Sequence, residues 1–529
     1  MFNGTFQLKT KSQRFPEPNY LLYILLIFLG IILVKAAWIC DDAYITFRTV
    51  DNFVNGHGLT WNVAERVQVY THPFWMFLVS FFYIFTHDVY YTVIILSLCL
   101  SLLSVYLVSR FLVENMFSLF LVFSIFIFSR AFVDFSTSGL ENPLSYLLLV
   151  IFFLIFFKWP LNSRNLLLLY ITSSLALFNR LDTILFFIFP LVYATYKVWK
   201  QEFISIGKIF KKFLIGFSPI IVWMIFALIY YGFFFPNTYY AKLNTGIAAW
   251  PTIYQGFLYL LDSISHDTIT LLVTGFVILT AFKTKEWRKM TAAAGILVYI
   301  LYIVRIGGDF MSGRFLALPV LVAAILLSQM KFKPTMALTL SILFIFIGLS
   351  VQKSPIFYKL TDTTSRKMPM GIIDERGYYF STTGLLTRSR RQLLPNHKMV
   401  NFGKEKKQKG DKVCDDIHMI GFAGYFTGPG VHIIDHLALA DPLLSRLHIK
   451  KNLKWRPGHF RRMIPRGYKE SLETGENLIK DPGIKALYEA IKEITRGKIF
   501  SFRRLKLIIK FNLGGYNQLM QMINQRGYK

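Results

Sequence analysis

Twelve apolar runs, 13 to 21 residues long, fill most of the first 350 positions and limit what this chain can be. They lie at 20–39, 73–86, 89–109, 115–130, 141–157, 166–178, 183–196, 212–232, 265–282, 290–304, 316–329 and 334–350. One water-soluble core cannot absorb them, and roughly 20 apolar residues in helix match the hydrocarbon thickness of a bilayer. A cytosolic enzyme and a disordered tail protein are therefore excluded. The three cysteines, Cys40, Cys99 and Cys414, are too few and too scattered for a disulfide scaffold or a zinc site.

Charge divides the chain. Residues 351–529 carry 34 Lys and Arg against 15 Asp and Glu, which is +19 of the total +29. Basic stretches at 158–164, 197–212, 283–289 and 331–333 read as cytoplasmic loops between crossings. The basic tail 1–19 falls on that same side and precedes an uncleaved first helix. Residues 40–72, 131–140, 179–182, 233–264, 305–315 and everything after 350 then face outward. An even number of crossings must separate residues 40 and 135, so one of 73–86 and 115–130 is expected to be re-entrant or interfacial. The expectation is about eleven crossings over 20–350 and a basic outer domain over 351–529.

The unusual polar residues collect in the outward loops. Asp41-Asp42 opens the first, followed by Arg48, His57, Arg66 and His72; Glu141, Arg180 with Asp182, Tyr240 with Lys242, Arg305, Asp309 and Arg314 occupy the others. Carboxylates at helix mouths are costly unless paired or used. Two adjacent carboxylates repel, which favours a general base or, jointly, a divalent cation. Arginines and lysines beside them can hold a phosphate. Each residue alone could equally cap a helix or snorkel to headgroups. Together they fit a lipid-phosphate donor whose tail lies among helices.

Asp41-Asp42-Ala43-Tyr44-Ile45 with Phe47-Arg48, then Asn55-Gly56-His57-Gly58-Leu59 and Trp61-Asn62, resemble the first outer loop of C-type membrane glycosyltransferases. With 137–143, Arg180, Asp182, 235–242, the Gly307–Phe315 run, 421–446 and 456–468, the chain is similar to mycobacterial terminal arabinofuranosyltransferases over most of 20–470. Asn142 stands where that pattern leads one to expect Thr. The resemblance implies a polytopic α-helical bundle of the C-type fold with a C-terminal periplasmic domain, in a bacterial inner membrane. It implies transfer of a monosaccharide, arabinofuranose-like, from a polyprenyl-phosphate donor to a cell-envelope glycan or glycolipid. By that likeness Asp41 leads the chemistry, with Asp42, Glu141 and Asp309 orienting donor and acceptor. Arg48, His57, Arg66, His72, Arg180, Asp182, Tyr240, Lys242, Arg305 and Arg314 would bind the donor. The Phe-, Ile- and Lys-rich composition leaves a different sugar, and lipopolysaccharide as acceptor, open.

After 350, Gly-rich turns around a strand-like Val431–Asp435, a helix from Leu439, and helical stretches in 476–510 predict a mixed α/β domain. His432 and His436 are four apart but on a strand, so no metal is expected there; if a divalent cation takes part, Asp41 and Asp42 would hold it. His459 and Arg461, with Arg456 and Arg462, form a donor-rich patch for the acceptor or for anionic phospholipid. Nucleic acid is not an expected partner, since no groove-reading motif is present. A transporter would carry internal repeats and mid-helix charges, and a non-catalytic assembly protein gives no reason for the acidic set.

Overall fold

A computed structural model describes residues 20–359, 371–387, 393–449 and 455–527; the basic tail 1–19 lies outside them. The first half runs α1 (Tyr20–Ala36), α2 (Asp41–Val54), α3 (Pro73–Thr86), α4 (Val89–Leu107), α5 (Met116–Phe128), α6 (Arg130–Phe135), α7 (Asn142–Lys158), α8 (Ser163–Asn179) and α9 (Ile184–Glu202). It continues with α10 (Ile206–Gly216), α11 (Ser218–Tyr231), α12 (Asn237–Leu243), α13 (Ala249–His266), α14 (Thr268–Lys283), α15 (Trp287–Ile306), α16 (Ala317–Ser328) and α17 (Pro334–Ser350). Then come α18 (Glu375–Thr383), α19 (Lys398–Lys409), α20 (Phe422–Thr427), α21 (Tyr468–Thr474), α22 (Pro482–Arg496), α23 (Phe502–Asn512) and α24 (Asn517–Arg526).

The expectation of about eleven crossings is overturned. Among the described residues, three helices are long and apolar enough to span a membrane, Val89–Leu112, Leu181–Glu202 and Trp287–Ile306. The number rises to at most six if each of three bent pairs counts as one span: α1 with α2 (89°), α10 with α11 (59°) and α13 with α14 (110°). The other apolar helices are too short. At about 1.5 Å per residue a 14-residue helix reaches about 21 Å, against a hydrocarbon core of about 30 Å. Apolar content misleads because a helix enclosed by protein needs it as much as one enclosed by lipid. Every residue of α16 is buried, so its continuous apolar run serves the protein core.

The mixed α/β domain is also overturned. The described sheet is one parallel pair of two-residue strands, β1 (Val413–Cys414) and β2 (His432–Ile433), with Val413 opposite His432 and Cys414 opposite Ile433. The strand-like segment stops early because the Asp435 carboxylate accepts from Leu437 N (2.8 Å) and Ala440 N (3.0 Å), folding the backbone into a turn. The remainder is helical or irregular.

Residues beyond 350 share cores with the first half. Ile45, Trp61, Val67 and Val69 pack with Ile417, Ala423, Val431 and Ile433. Phe233 and Ala241 pack with Leu443, Leu487, Ile491 and Ile508. Arg48, 2% exposed, fastens this junction: its guanidinium donates to the carbonyls of Trp61 (2.8 Å), Val431 (2.7 Å) and Gly424, and to Thr427 Oγ1 (2.9 Å), while stacking on the Trp61 ring. Arg66 does similar work, donating to the carbonyls of Tyr230 (3.2 Å) and Gly497.

Candidate active site

The first link is local. Cys40 is extended, and the chain enters α2 with Asp41 and Asp42 in its first turn, where the helix dipole favours negative charge. Because α2 turns 89° from α1, the acidic pair leaves the direction of the preceding helix. Asp41 is tied down: Oδ2 accepts from Gly421 N (3.1 Å) and Oδ1 from Phe422 N (2.7 Å). Asp42 accepts no hydrogen bond among the described residues and faces a cavity of about 370 Å³.

Around that cavity, the structure brings together residues from distant segments. Asp41, Asp42, Lys242 and His459, four of the candidates named from the sequence, line it; Glu375, Tyr378, Tyr379, Phe310 and Arg456 line it too. Glu375 was not anticipated. It is 7% exposed and makes no hydrogen bond or ion pair among the described residues. Its neighbours in sequence hold it there. Asp374 accepts from Arg130 Nη2 (3.1 Å), Lys353 Nζ (3.2 Å) and Gly377 N (2.9 Å), and Arg376 donates to Ala36 O (3.1 Å) while stacking on Tyr358. Ile373 pairs with the Phe310–Ser312 segment through Ile373 N to Phe310 O (2.7 Å) and Ser312 N to Ile373 O (3.0 Å).

Behind the cavity runs a chain of buried ion pairs centred on Glu141, 1% exposed. Its Oε1 faces Arg180 Nη1 (3.3 Å) and Arg314 Nη2 (3.8 Å), and its Oε2 faces His72 Nδ1 (3.3 Å). Arg180 grips Asp182 with two parallel bonds of 2.7 and 2.8 Å, and Arg314 Nη1 donates to Asp309 Oδ2 (3.2 Å). Thr46 Oγ1 meets the other His72 nitrogen at 2.8 Å. The turn that delivers Asp309 and Arg314 follows from Gly307, whose φ of +88° ends α15; Gly308 N then bonds back to Ile303 O (2.8 Å).

Electrostatics follow from this placement. Burial pushes the Asp42 carboxyl above its ordinary range, and Arg314 and Lys242 oppose that rise. Burial and Asp42 push Glu375 well up. For Glu141, the His72, Arg314 and Arg180 charges together outweigh the larger single effect of burial and bring it down to about 2. Burial, with Arg456 beside it, holds the His459 imidazole down to about 3. Lys242 and Arg456 make no ion pair among the described residues, so both cations are free to meet an anion in the cavity. No group of three or more His, Cys, Asp and Glu is placed to hold a metal ion among those residues.

Other expected site residues are elsewhere. Arg48 and Arg66 are the junction clamps described above. Tyr240 lies under Arg446, 3.8 Å from guanidinium to ring. His57, Arg305 and Arg461 are exposed, and none of the three lines the cavity. Glu375 had no local signal, because it sits in no motif and only its tertiary neighbours identify it; Arg456 stands out in the sequence only as part of the basic patch around His459.

The Asp41 tether gives a direct test. A Cβ on Gly421 would fall 1.8 Å from the Asp41 carbonyl oxygen, where backbone cannot yield. Gly421→Ala is expected to cost about 3 kcal/mol by overpacking and by stripping two hydrogen bonds. Thermal unfolding of the purified protein in detergent measures it, and an unchanged midpoint would refute the tether.

No family model matches the chain. The terminal beta-(1->2)-arabinofuranosyltransferase of Corynebacterium glutamicum is 27% identical over 325 residues, 53% of this chain and 46% of that protein. The protein of the same name from Mycobacterium tuberculosis is 26% identical over 414 residues, 66% of this chain and 63% of that protein. The alignments thus span less than two thirds of either relative. Among solved structures, ArnT from Cupriavidus metallidurans bound to undecaprenyl phosphate superposes with a TM-score of 0.47 at 10% identity, over 78% of this chain and 85% of that one. The chain is a polytopic membrane protein distantly related to these arabinofuranosyltransferases.

Proposed function

We propose that this protein transfers a monosaccharide, of arabinofuranose type, from a polyprenyl-phosphate donor to a cell-envelope glycan or glycolipid at the periplasmic face of the inner membrane. The observation that carries the reading is the cavity itself, lined by two carboxylates, Asp42 and Glu375, and two cations, Lys242 and Arg456, that have no hydrogen-bond or ion-pair partner for those groups among the described residues. The names of the two relatives supply the sugar type.

In this reading the acceptor hydroxyl gives its proton to Asp42 while its oxygen bonds to the anomeric carbon. The bond from that carbon to the phosphate oxygen breaks, and polyprenyl phosphate leaves. Lys242 and Arg456 receive the charge developing on the phosphate. Arg314, held between Asp309 and Glu141, adds a fixed positive charge behind Asp42. Tyr378, Tyr379 and Phe310 add aromatic surface to the same cavity.

Reconstitution into liposomes with a panel of radiolabelled polyprenyl-phosphate sugars and envelope glycan acceptors tests this. Transfer is expected from a pentofuranosyl donor. Lys242→Gln combined with Arg456→Gln should lower kcat/KM by roughly 100-fold, the loss of two charge-assisted contacts to a phosphate. Absence of transfer from every donor would sink the proposal.

A further inference from the structure

Helix α23 (Phe502–Asn512) is apolar on two opposite sides, and only one of them is covered by protein. Arg504, Ile508 and Phe511 recur at helical spacing and are buried. On the other side Phe502 is 83% exposed, Ile509 is exposed, and Leu513, one residue past the helix, is 82% exposed. At 3.6 residues per turn these three fall within about 40° of one another, so they form a single stripe. Lys506 and Lys510 border that stripe; both are exposed, and neither makes an ion pair among the described residues. Lys510 Nζ stands 5.0 Å from the centre of the Tyr516 ring, and Arg503 Nε lies 3.9 Å from Glu493 Oε2. Glu493 is the last acid in the chain: residues 494–529 hold eight Lys and Arg and no Asp or Glu.

The buried side of α23 is seated on the end of α11, the apolar half of one of the three bent pairs. α11 has no charged residue, and Val222, Ile225 and Ile229 are exposed along it. A helix apolar all round is covered by protein or by lipid, and these exposed positions leave lipid. The last carbonyls of such a helix have no partner within it. Arg504 supplies the donors, with Nη1 to Ile229 O (2.8 Å) and Nη2 to Tyr230 O (2.9 Å), while its Nε donates to Ile494 O (2.7 Å) of α22. Asn512 Nδ2 donates to Gly232 O (2.9 Å), and Phe511 meets Phe233 edge-on at 5.3 Å. α23 therefore rests across the end of an apolar helix, at the depth where that helix leaves the hydrocarbon.

We infer that α23 lies in the surface of an anionic bilayer, with Phe502, Ile509 and Leu513 in the acyl boundary and Lys506 and Lys510 on the headgroups. The occupant follows from what shares the exposed side: an apolar stripe bordered by unpaired lysines is the pattern of a helix lying in the interface plane. A second copy of this chain would set the same lysines against its own. A zwitterionic surface would accept the stripe but gain nothing from the lysines, each of which favours an anionic headgroup on the order of fivefold.

No tryptophan follows Trp455, so one placed on the stripe can be read as the difference from the native chain. Phe502→Trp and, separately, Leu513→Trp are made in the full chain at positions exposed enough to accept the ring. Each is reconstituted in phosphatidylcholine vesicles with increasing fractions of brominated phosphatidylglycerol or brominated phosphatidylcholine, the bromines placed near the headgroup or near the chain end. The added fluorescence should be quenched at least about twofold more by the shallow bromines, because an interfacial helix sinks only about 5–10 Å. Half-quenching should need about fivefold less phosphatidylglycerol than phosphatidylcholine, and Lys506→Gln with Lys510→Gln should erase that difference. Added fluorescence that neither lipid quenches would overturn the inference, leaving the stripe in water or, where it changes with the protein-to-lipid ratio, against a second copy. Stronger quenching by the deep bromines, or equal half-quenching by the two lipids in the native-lysine chain, would overturn it as well.

Discussion

Asp42→Asn is expected to lower sugar transfer about 1000-fold, whereas Asp41→Asn should leave a protein that transfers at a reduced rate and unfolds more easily. The two carboxylates are adjacent in sequence but differ in what holds them. Both oxygens of Asp41 are occupied by backbone N–H groups of Gly421 and Phe422. An asparagine there would turn an amide donor toward one of those N–H groups, at a cost of about 1–3 kcal/mol. Asp42 has its oxygens open to the cavity, so its loss removes the proton acceptor. The pH dependence follows the same logic. Burial raises the Asp42 carboxyl, and a base works only when deprotonated. Activity should therefore rise with pH through a value above about 4, the range of a free carboxylate. Steady-state rates of the two variants, together with their thermal midpoints, separate the roles. Equal losses of kcat in both, with unchanged midpoints, would show that the tether does not divide the pair.

Glu141→Gln is the second large effect, and it is expected first in stability. The carboxylate sits 1% exposed beside Arg180, Arg314 and His72. Removing its charge leaves buried cations with less compensation, which in buried pairs costs about 3–5 kcal/mol. The lower end applies here, because Arg180 keeps Asp182 and Arg314 keeps Asp309. The folded carboxyl is depressed from 4.5 to about 2. Its contribution is therefore fully present above about 4.5 and is lost as pH falls toward 2. The stability gap between the native chain and Glu141→Gln should be constant near neutral pH and close below about 4.5. Chemical unfolding in detergent at a series of pH values would show this, and a gap that persists undiminished at pH 3 would contradict the ion-pair account.

Several of the candidate residues were readable because they lie in polar segments beside apolar runs. His72, Glu141, Arg180, Asp182, Asp309 and Arg314 come from four separate segments, and the structure joins them in one chain of contacts. Composition could not separate Arg48 and Arg66 from these. An arginine at a helix mouth looks the same whether it waits for a phosphate or satisfies a cluster of carbonyls, and these two do the latter. Glu375 was invisible for the converse reason, since an acid in mixed polar text carries no periodicity and no motif.

From the residues alone came the membrane character of the chain, the clustering of acids and bases between apolar runs, and the likeness to arabinofuranosyltransferases. These rest on local composition and short motifs, which do not depend on what packs against them. The number of spanning helices and the sparse strand content were decided by tertiary structure. A 13- to 17-residue apolar helix has the same sequence whether lipid or protein covers it, and a β segment extends only as far as a partner strand accompanies it. The division of labour within Asp41-Asp42 was decided in the same way, by two N–H groups about 380 residues away in the chain.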